Sequence, residues 1–193
     1  MGDNNMGKQH DLSKEKIMAT AQEIIGNQGF PQLTFGSLAK TLDVRSQSLY
    51  NYYANVDAVI EDIGTNFMKT LYLKMAENLT GISGKEALRG YADIAHAYFE
   101  SQGQLVQLIY YVHRYPEDSP FVLETGRVLN LLRRVTQHIK LKKMTNDAYE
   151  EAFISSVLGY TVLEIMGFLT KVQAKQQQSF QQLVDLYLGE VLE

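Results

Sequence analysis

Residues 33–53 read LTFGSLAKTLDVRSQSLYNYY, and the spacing within this stretch decides the fold. Leu38, Ala39 and Leu42 share one side of a helix predicted over residues 35–42. Thr34 precedes it, with a hydroxyl placed to bond a first-turn amide. Asp43 and Val44 break the pattern. A second short helix, from Arg45 or Ser46 to Tyr53, sets Leu49 and Tyr53 four apart on a buried face. Arg45, Ser46, Gln47, Ser48, Tyr50, Asn51 and Tyr52 are left mostly outside. Two helices joined by a three- or four-residue turn form a helix-turn-helix. A DNA major groove admits a helix whose short polar groups match base edges: arginine suits guanine, and asparagine or glutamine suits adenine. Serine and tyrosine hydroxyls serve phosphates. Taken alone, a bare polar helix of this length is more often a solvated face packed on its neighbours; two tyrosines and an arginine are less usual there but do not settle the matter.

Outward from this stretch, the periodicity is helical throughout and no useful alternating run appears, so the fold class is all-α. Ser13 opens a first helix with Ile17, Ala21, Ile24 and Ile25 on one face, and Gly29 with Pro31 ends it. Asn55 can cap a long fourth helix over residues 56–78. Further helices are expected over residues 85–101, 104–115, 121–141, 148–172 and 180–192. RYPEDSP (114–120) forms a turn and QAKQQQ (173–178) a solvated loop. The domains expected are a disordered tail (1–12), a helix-turn-helix head (13–56) and a helical body (57–193).

Composition narrows the function. The 193 residues carry a formal net charge of −4, no cysteine and 45% hydrophobic residues. Residues 1–56 balance five basic against five acidic groups, so the body holds the whole negative excess; a nucleic-acid binder is usually more basic. The absence of cysteine excludes disulfides, thiolate metal sites and a cysteine nucleophile. The start, MGDNNMGKQHD, lacks a signal-peptide core and the myristoylation pattern. Residues 152–170, the one apolar suspect for a membrane span, include Glu164, two serines and two glycines, which suits a buried core helix. A cytoplasmic protein without membrane attachment is expected, and NLT at Asn78 is a sequon by spelling only. His96, His113 and His138 have no metal-ligand spacing, so no metal and no cofactor are expected.

LTFGSLAKTLDVRSQSLYNYYANVDAVIEDI, together with KIMATAQEIIGNQGF before it, resembles the N-terminal segment of TetR-type (tetracycline-repressor-like) transcriptional regulators. The resemblance covers roughly residues 14–63. It rests on features that agree in order: Ile17, Ala21 and Gly29, then Thr34, residues 39–42, Val44, SLY at 48–50, Tyr53 and Asn55. It implies a three-helix DNA-binding head in which Thr34, Arg45, Ser46, Gln47, Ser48, Tyr50, Asn51 and Tyr52 touch a near-palindromic double-stranded operator. It also implies a helical body that dimerises and often holds a small effector. Three positions depart from the pattern. Asp43 stands where glycine is common, Gln47 where a small residue or proline is common, and Val56 where a phosphate-binding lysine is common.

Beyond residue 66 the resemblance thins. Residues 148–172 are apolar on nearly every side, so one face can pack on the body and another on a second subunit, with Gly159 and Gly167 permitting close approach. A homodimer through residues 148–172 and 179–192 is expected, with a wholly intrachain core helix as the alternative. For the effector, Tyr98, Phe99, Tyr110, Tyr111, His113, Tyr160 and Glu164 form the candidate set: aromatic walls with a few polar tips suit an apolar or aromatic molecule. The same aromatics could simply fill the core, and Glu164 could satisfy a buried tyrosine. The expected function is a transcriptional regulator, most often a repressor in such families, released from its operator by a small-molecule effector. A helical enzyme lacks any Ser/His/Asp, Gly-rich or paired-carboxylate pattern. A helical adaptor with a decayed head is the other alternative, motivated by Val56 and the neutral head.

Overall fold

The computed structural model describes residues 12–169 and 173–192, so the expected disordered tail lies outside the described residues except for Leu12. The chain divides into two compact units, Met1–Ile63 and Gly64–Glu193. The division falls beyond residue 56, inside the long fourth helix, whose first turns bury Val59, Ile60 and Ile63.

In the first unit, helix α1 (Lys14–Gln28) starts where the Ser13 hydroxyl accepts the Lys16 amide at 3.3 Å. It stops at Gly29, whose φ of 84° suits glycine and whose amide reaches the Ile25 carbonyl. A 3-10 turn over Phe30–Gln32 leads to α2 (Phe35–Leu42). Thr34 and Ser37 cap α2 reciprocally: each side-chain oxygen accepts the other's backbone amide at 3.0 Å. Asp43 then takes the left-handed conformation (φ 53°, ψ 46°), and the Val44 amide turns back to the Ala39 carbonyl at 3.0 Å. Helix α3 is shorter than expected, only Ser46–Leu49. The amides of Tyr52 and Tyr53 still reach the Leu49 carbonyl, at 2.9 and 3.0 Å, so tight turns carry the chain to Tyr53. Helix α4 (Val56–Asn78) follows, its Ala58 amide bonded to Asn55 Oδ1 at 2.9 Å. Ile17, Ala21, Ile25, Leu38, Leu49, Val59 and Ile63 form a core with no exposed surface.

The second unit contains the rest of α4 with α5 (Gly84–Gln102), a 3-10 helix (Gly103–Arg114), α6 (Pro120–Thr136), α7 (Asn146–Ile165) and α8 (Gln173–Leu188). Helix α5 is central, touching α6, α7, α8 and the 3-10 helix. Residues 104–115, expected as an α-helix, wind more tightly. Val106 and Leu108 are the buried residues of this 3-10 helix, with Ile109 and Val112 half-buried. Helix α6 stops at Thr136, short of residue 141, because the chain then extends to pair Leu141 with Val191. Helix α7 stops at Ile165, short of residue 172. Gly167 (φ 77°) closes it, with the Phe168 amide on the Leu163 carbonyl and its own on Glu164, both at 2.9 Å. The QAKQQQ segment is helical, not a loop: it forms the opening turns of α8, in keeping with the helix propensity of Gln, Ala and Lys. The last helix therefore begins earlier than residue 180 and ends at Leu188, ahead of the bridge. Among the described residues there is no strand beyond that bridge pair.

Two substitutions probe these contacts. A Cβ on Gly64 would lie 2.5–2.7 Å from three ring atoms of Phe121, which is wholly buried. Gly64→Ala should therefore lower stability by about 1–2 kcal/mol, overpacking outweighing the helix-propensity gain; the urea midpoint should fall, and pairing with Phe121→Leu should restore part of it. Asp43→Gly relieves a left-handed side chain and should raise stability by roughly 0.5–1 kcal/mol in the same measurement.

Candidate nucleic-acid interface and body cavities

The candidate DNA face is built on two anchors. Leu49 is wholly buried and Tyr53 nearly so. The Tyr53 hydroxyl donates to Asp62 Oδ2 on α4 at 2.9 Å, and Lys14 Nζ lies 4.8 Å above its ring and 3.6 Å from the same carboxylate. Burial, then the Asp62 hydrogen bond, push the Tyr53 phenol well above its ordinary range, so it stays a neutral donor. With those rings and carbons underneath, Arg45, Ser46, Gln47, Tyr50 and Asn51 stand exposed and Ser48 is half-buried. Tyr50 is 54% exposed, its ring steadied edge-on against Phe35 at 4.9 Å.

The remaining two candidates sit differently. Thr34 is exposed, but its hydroxyl serves the α2 cap. Tyr52 is half-buried and its hydroxyl donates to the Leu12 carbonyl, tying the end of α3 to the start of α1. Seven of the eight candidates thus lie along α3 and its trailing turn, with Thr34 at the opening of α2.

The seven effector candidates do not form one site. Tyr98 belongs to the core, its hydroxyl on the Phe67 carbonyl at 2.8 Å, and burial pushes its phenol up to about 12. Tyr110 and His113 are exposed, and Tyr111 lies beneath the Arg114 guanidinium at 5.2 Å. Tyr160 and Glu164 join His96 and Phe180 instead: His96 Nε2 is 2.6 Å from Glu164 Oε2, and its ring stacks on Phe180 at 4.0 Å. Glu164 thus satisfies a histidine, where a tyrosine hydroxyl or a ligand was expected. The polar recess beside this pair also carries Asp93, Glu100 and Gln181.

Phe99 alone of the seven lines the apolar cavity of the body, about 250 Å³ between α4, α5, the 3-10 helix, α6 and α7. Met75, Ala95, Ile109, Val128 and Leu158 make much of its wall. Two hydroxyls reach the lining, and both are turned to backbone: Tyr91 to the Val128 carbonyl at 3.1 Å and Thr125 to Phe121 at 2.8 Å. Among the described residues that line it, the cavity offers no charge and no spare donor. These aliphatic residues carried no sequence signal, because ordinary core positions show the same spacing. Among the described residues, no group of three or more His, Cys, Asp or Glu could hold a metal ion, and no helix is long and apolar enough to cross a membrane.

No family model matches the chain. Over 89 residues it is 28% identical to an uncharacterized HTH-type transcriptional regulator, YobS, of Bacillus subtilis (strain 168). That alignment covers 46% of this chain and 45% of YobS, so the chain spans about half the length of its curated relative. Among solved structures, the TetR family transcriptional regulator PfmR from Thermus thermophilus superposes with a TM-score of 0.69. Its sequence identity is 17%, over 94% of this chain and 98% of PfmR. The transcriptional regulator FadR from Bacillus subtilis, solved in complex with stearoyl-CoA, superposes with a TM-score of 0.65 at 15% identity. Here 89% of this chain and 98% of FadR are covered. With helices α1–α3 forming a capped helix-turn-helix unit and a second unit of packed helices following it, the chain has the fold of the TetR-family transcriptional regulators.

Proposed function

We propose that the chain is a DNA-binding transcriptional regulator whose operator affinity is set by an apolar effector. The observation that carries this reading is the outward row along α3 and the residues flanking it. Arg45, Ser46, Gln47, Tyr50 and Asn51 are exposed above a buried Leu49 and Tyr53, in the residue types that match base edges and phosphates. Thr34 and Tyr52 complete the contact set at its margins. The names of the similar proteins are those of regulators, which favours this reading over a helical enzyme.

The acting species is a homodimer. Leu163, Met166 and Phe168 at the end of α7 and Leu186 on α8 are exposed, Phe168 and Leu186 by more than 70%. A Cβ on Gly159 of α7 would meet open space. A second copy laid on this two-helix surface would remove the apolar area from water. The dimer would set two α3 segments in successive major grooves about 34 Å apart on a near-palindromic operator. Repression is the sign most common in such regulators, and the site of action is the cytoplasm.

The effector is uncharged and apolar, because the body cavity has no polar group to spare for a headgroup. The stearoyl chain of the stearoyl-CoA bound by FadR is hydrocarbon of this kind, although its CoA portion is charged. Binding would weaken the DNA complex by its differential affinity for the two states of the body.

Mobility-shift titration against the promoter of its own operon, and against a genomic fragment library, is the direct test. A salt-sensitive, sequence-selective complex is expected, and its absence from both overturns the reading. Arg45→Ala and Tyr50→Ala should each weaken that complex about tenfold, in line with ~1–3 kcal/mol for a base contact, with unchanged unfolding midpoints. A partner bound equally well by both variants, with no DNA complex, would favour the adaptor reading. For the effector, 1-decanol should raise the thermal midpoint and loosen the DNA complex. Ala95→Phe, or Leu158→Phe should the first misfold, should abolish both effects by filling the cavity.

A further inference from the structure

A groove of about 550 Å³ lies between the C-terminal part of α4, residues 79–84 and the end of α6, sharing no residue with the apolar cavity. Its floor is aliphatic: Leu79, Ile82, Leu131, Val135 and Ile139 line it, each half-exposed. Through Gly84, His138 and Ile139 it continues into a second hollow of about 530 Å³. The polar groups along this course are cationic or neutral: Arg134 and His138 on the first hollow, Lys85 and Lys140 on the second.

Among the described residues, no aspartate or glutamate lines either hollow, although residues 57–193 carry 17 acidic groups against 13 basic. Elsewhere in the body three arginines meet carboxylates: Arg89 meets Asp185, Arg127 meets Glu124 and Arg133 meets Glu150. Among the described residues, Lys85, Arg134 and Lys140 have no such partner. Like charges on one surface without a counter-charge repel one another, and Arg134 and Lys140 are exposed while Lys85 is half-exposed. A groove with an aliphatic floor and a cationic rim is complementary to one chemistry, an aliphatic tail ending in an anion.

We propose that this groove is a second ligand site that takes a soluble single-chain amphiphilic anion. The tail lies along Leu79, Leu131, Val135 and Ile139, where it removes half-exposed aliphatic surface from water. The carboxylate or phosphate sits among Arg134, His138, Lys85 and Lys140, with the Arg134 guanidinium offering a bidentate pair. The site is independent of DNA reading and of the apolar cavity, which has nothing to hold a charged headgroup.

Calorimetric titration of the full chain with sodium dodecanoate and with dodecyltrimethylammonium, both below their micellar concentrations, tests the assignment. Dodecanoate should bind at one site per chain and dodecyltrimethylammonium at least tenfold more weakly. The triple variant Lys85→Ala/Arg134→Ala/Lys140→Ala should lose at least tenfold in dodecanoate affinity, and Arg134→Glu alone should move it the same way if the triple variant is poorly folded. Dodecanoate binding should persist in Ala95→Phe, which separates this site from the cavity. Equal affinity for the two surfactants, wild-type dodecanoate affinity in both charge variants, or loss of binding in Ala95→Phe would overturn the proposal. So would capture by phosphatidylglycerol vesicles without any dodecanoate binding, because the cations would then serve a membrane surface.

Discussion

Helix α3 spans only Ser46–Leu49, and a single helical turn has no stability of its own in water. What holds it is the burial of Leu49 and Tyr53, together with the hydrogen bond from Tyr53 to Asp62 on α4. Two further ties fix its ends. Asp43 in the left-handed conformation sets the angle at which the chain leaves α2, and the Tyr52 hydroxyl binds the exit to the Leu12 carbonyl. With the underside so constrained, the side chains on the upper side are relieved of packing duty. The head, neutral overall, therefore presents on this side a set of neutral hydrogen-bonding groups together with one charge, Arg45.

In the body the same division of labour runs the other way. Helix α5 touches α6, α7, α8 and the 3-10 helix, and Arg89, Asp93 and His96 are spent on holding those neighbours. Arg89 bonds Gln181 and Asp185, Gln181 in turn donates to Asp93, and His96 meets Glu164. Polar groups that look ligand-like in isolation are therefore committed to helix–helix contacts. The space left between the helices is lined by hydrocarbon, whereas the groove at the end of α6 carries the cationic side chain of Arg134.

The local signals in the sequence carried over into the structure with little change. Ser13, Thr34 and Asn55 cap the helices they precede, Gly29 ends α1, and Asp43 makes the turn. Each works through one to four neighbouring residues, so the chain need not be folded for it to be read. Helix ends governed by distant partners were harder to read. Helix α6 stops early because Leu141 pairs with Val191, fifty residues away along the chain. Residues 103–114 wind as a 3-10 helix in which Val106 and Leu108 are buried. An apolar pattern alone does not separate these outcomes from an α-helix.

The sequence by itself determined the all-helical class, the helix-turn-helix and the residues that face outward on α3, because caps, turn residues and four-residue spacing act locally. The tertiary structure alone decided which side chains meet across the body. It scattered the seven aromatic and polar effector candidates among core, surface and the His96–Glu164 pair, and left Phe99 as the one that lines the cavity. It also drew Arg134 of α6, Lys85 of α5 and Lys140 toward one groove. The reason is physical: a cavity is a property of the space between helices, and its wall comes from residues far apart in the chain whose individual spacing is that of any buried face.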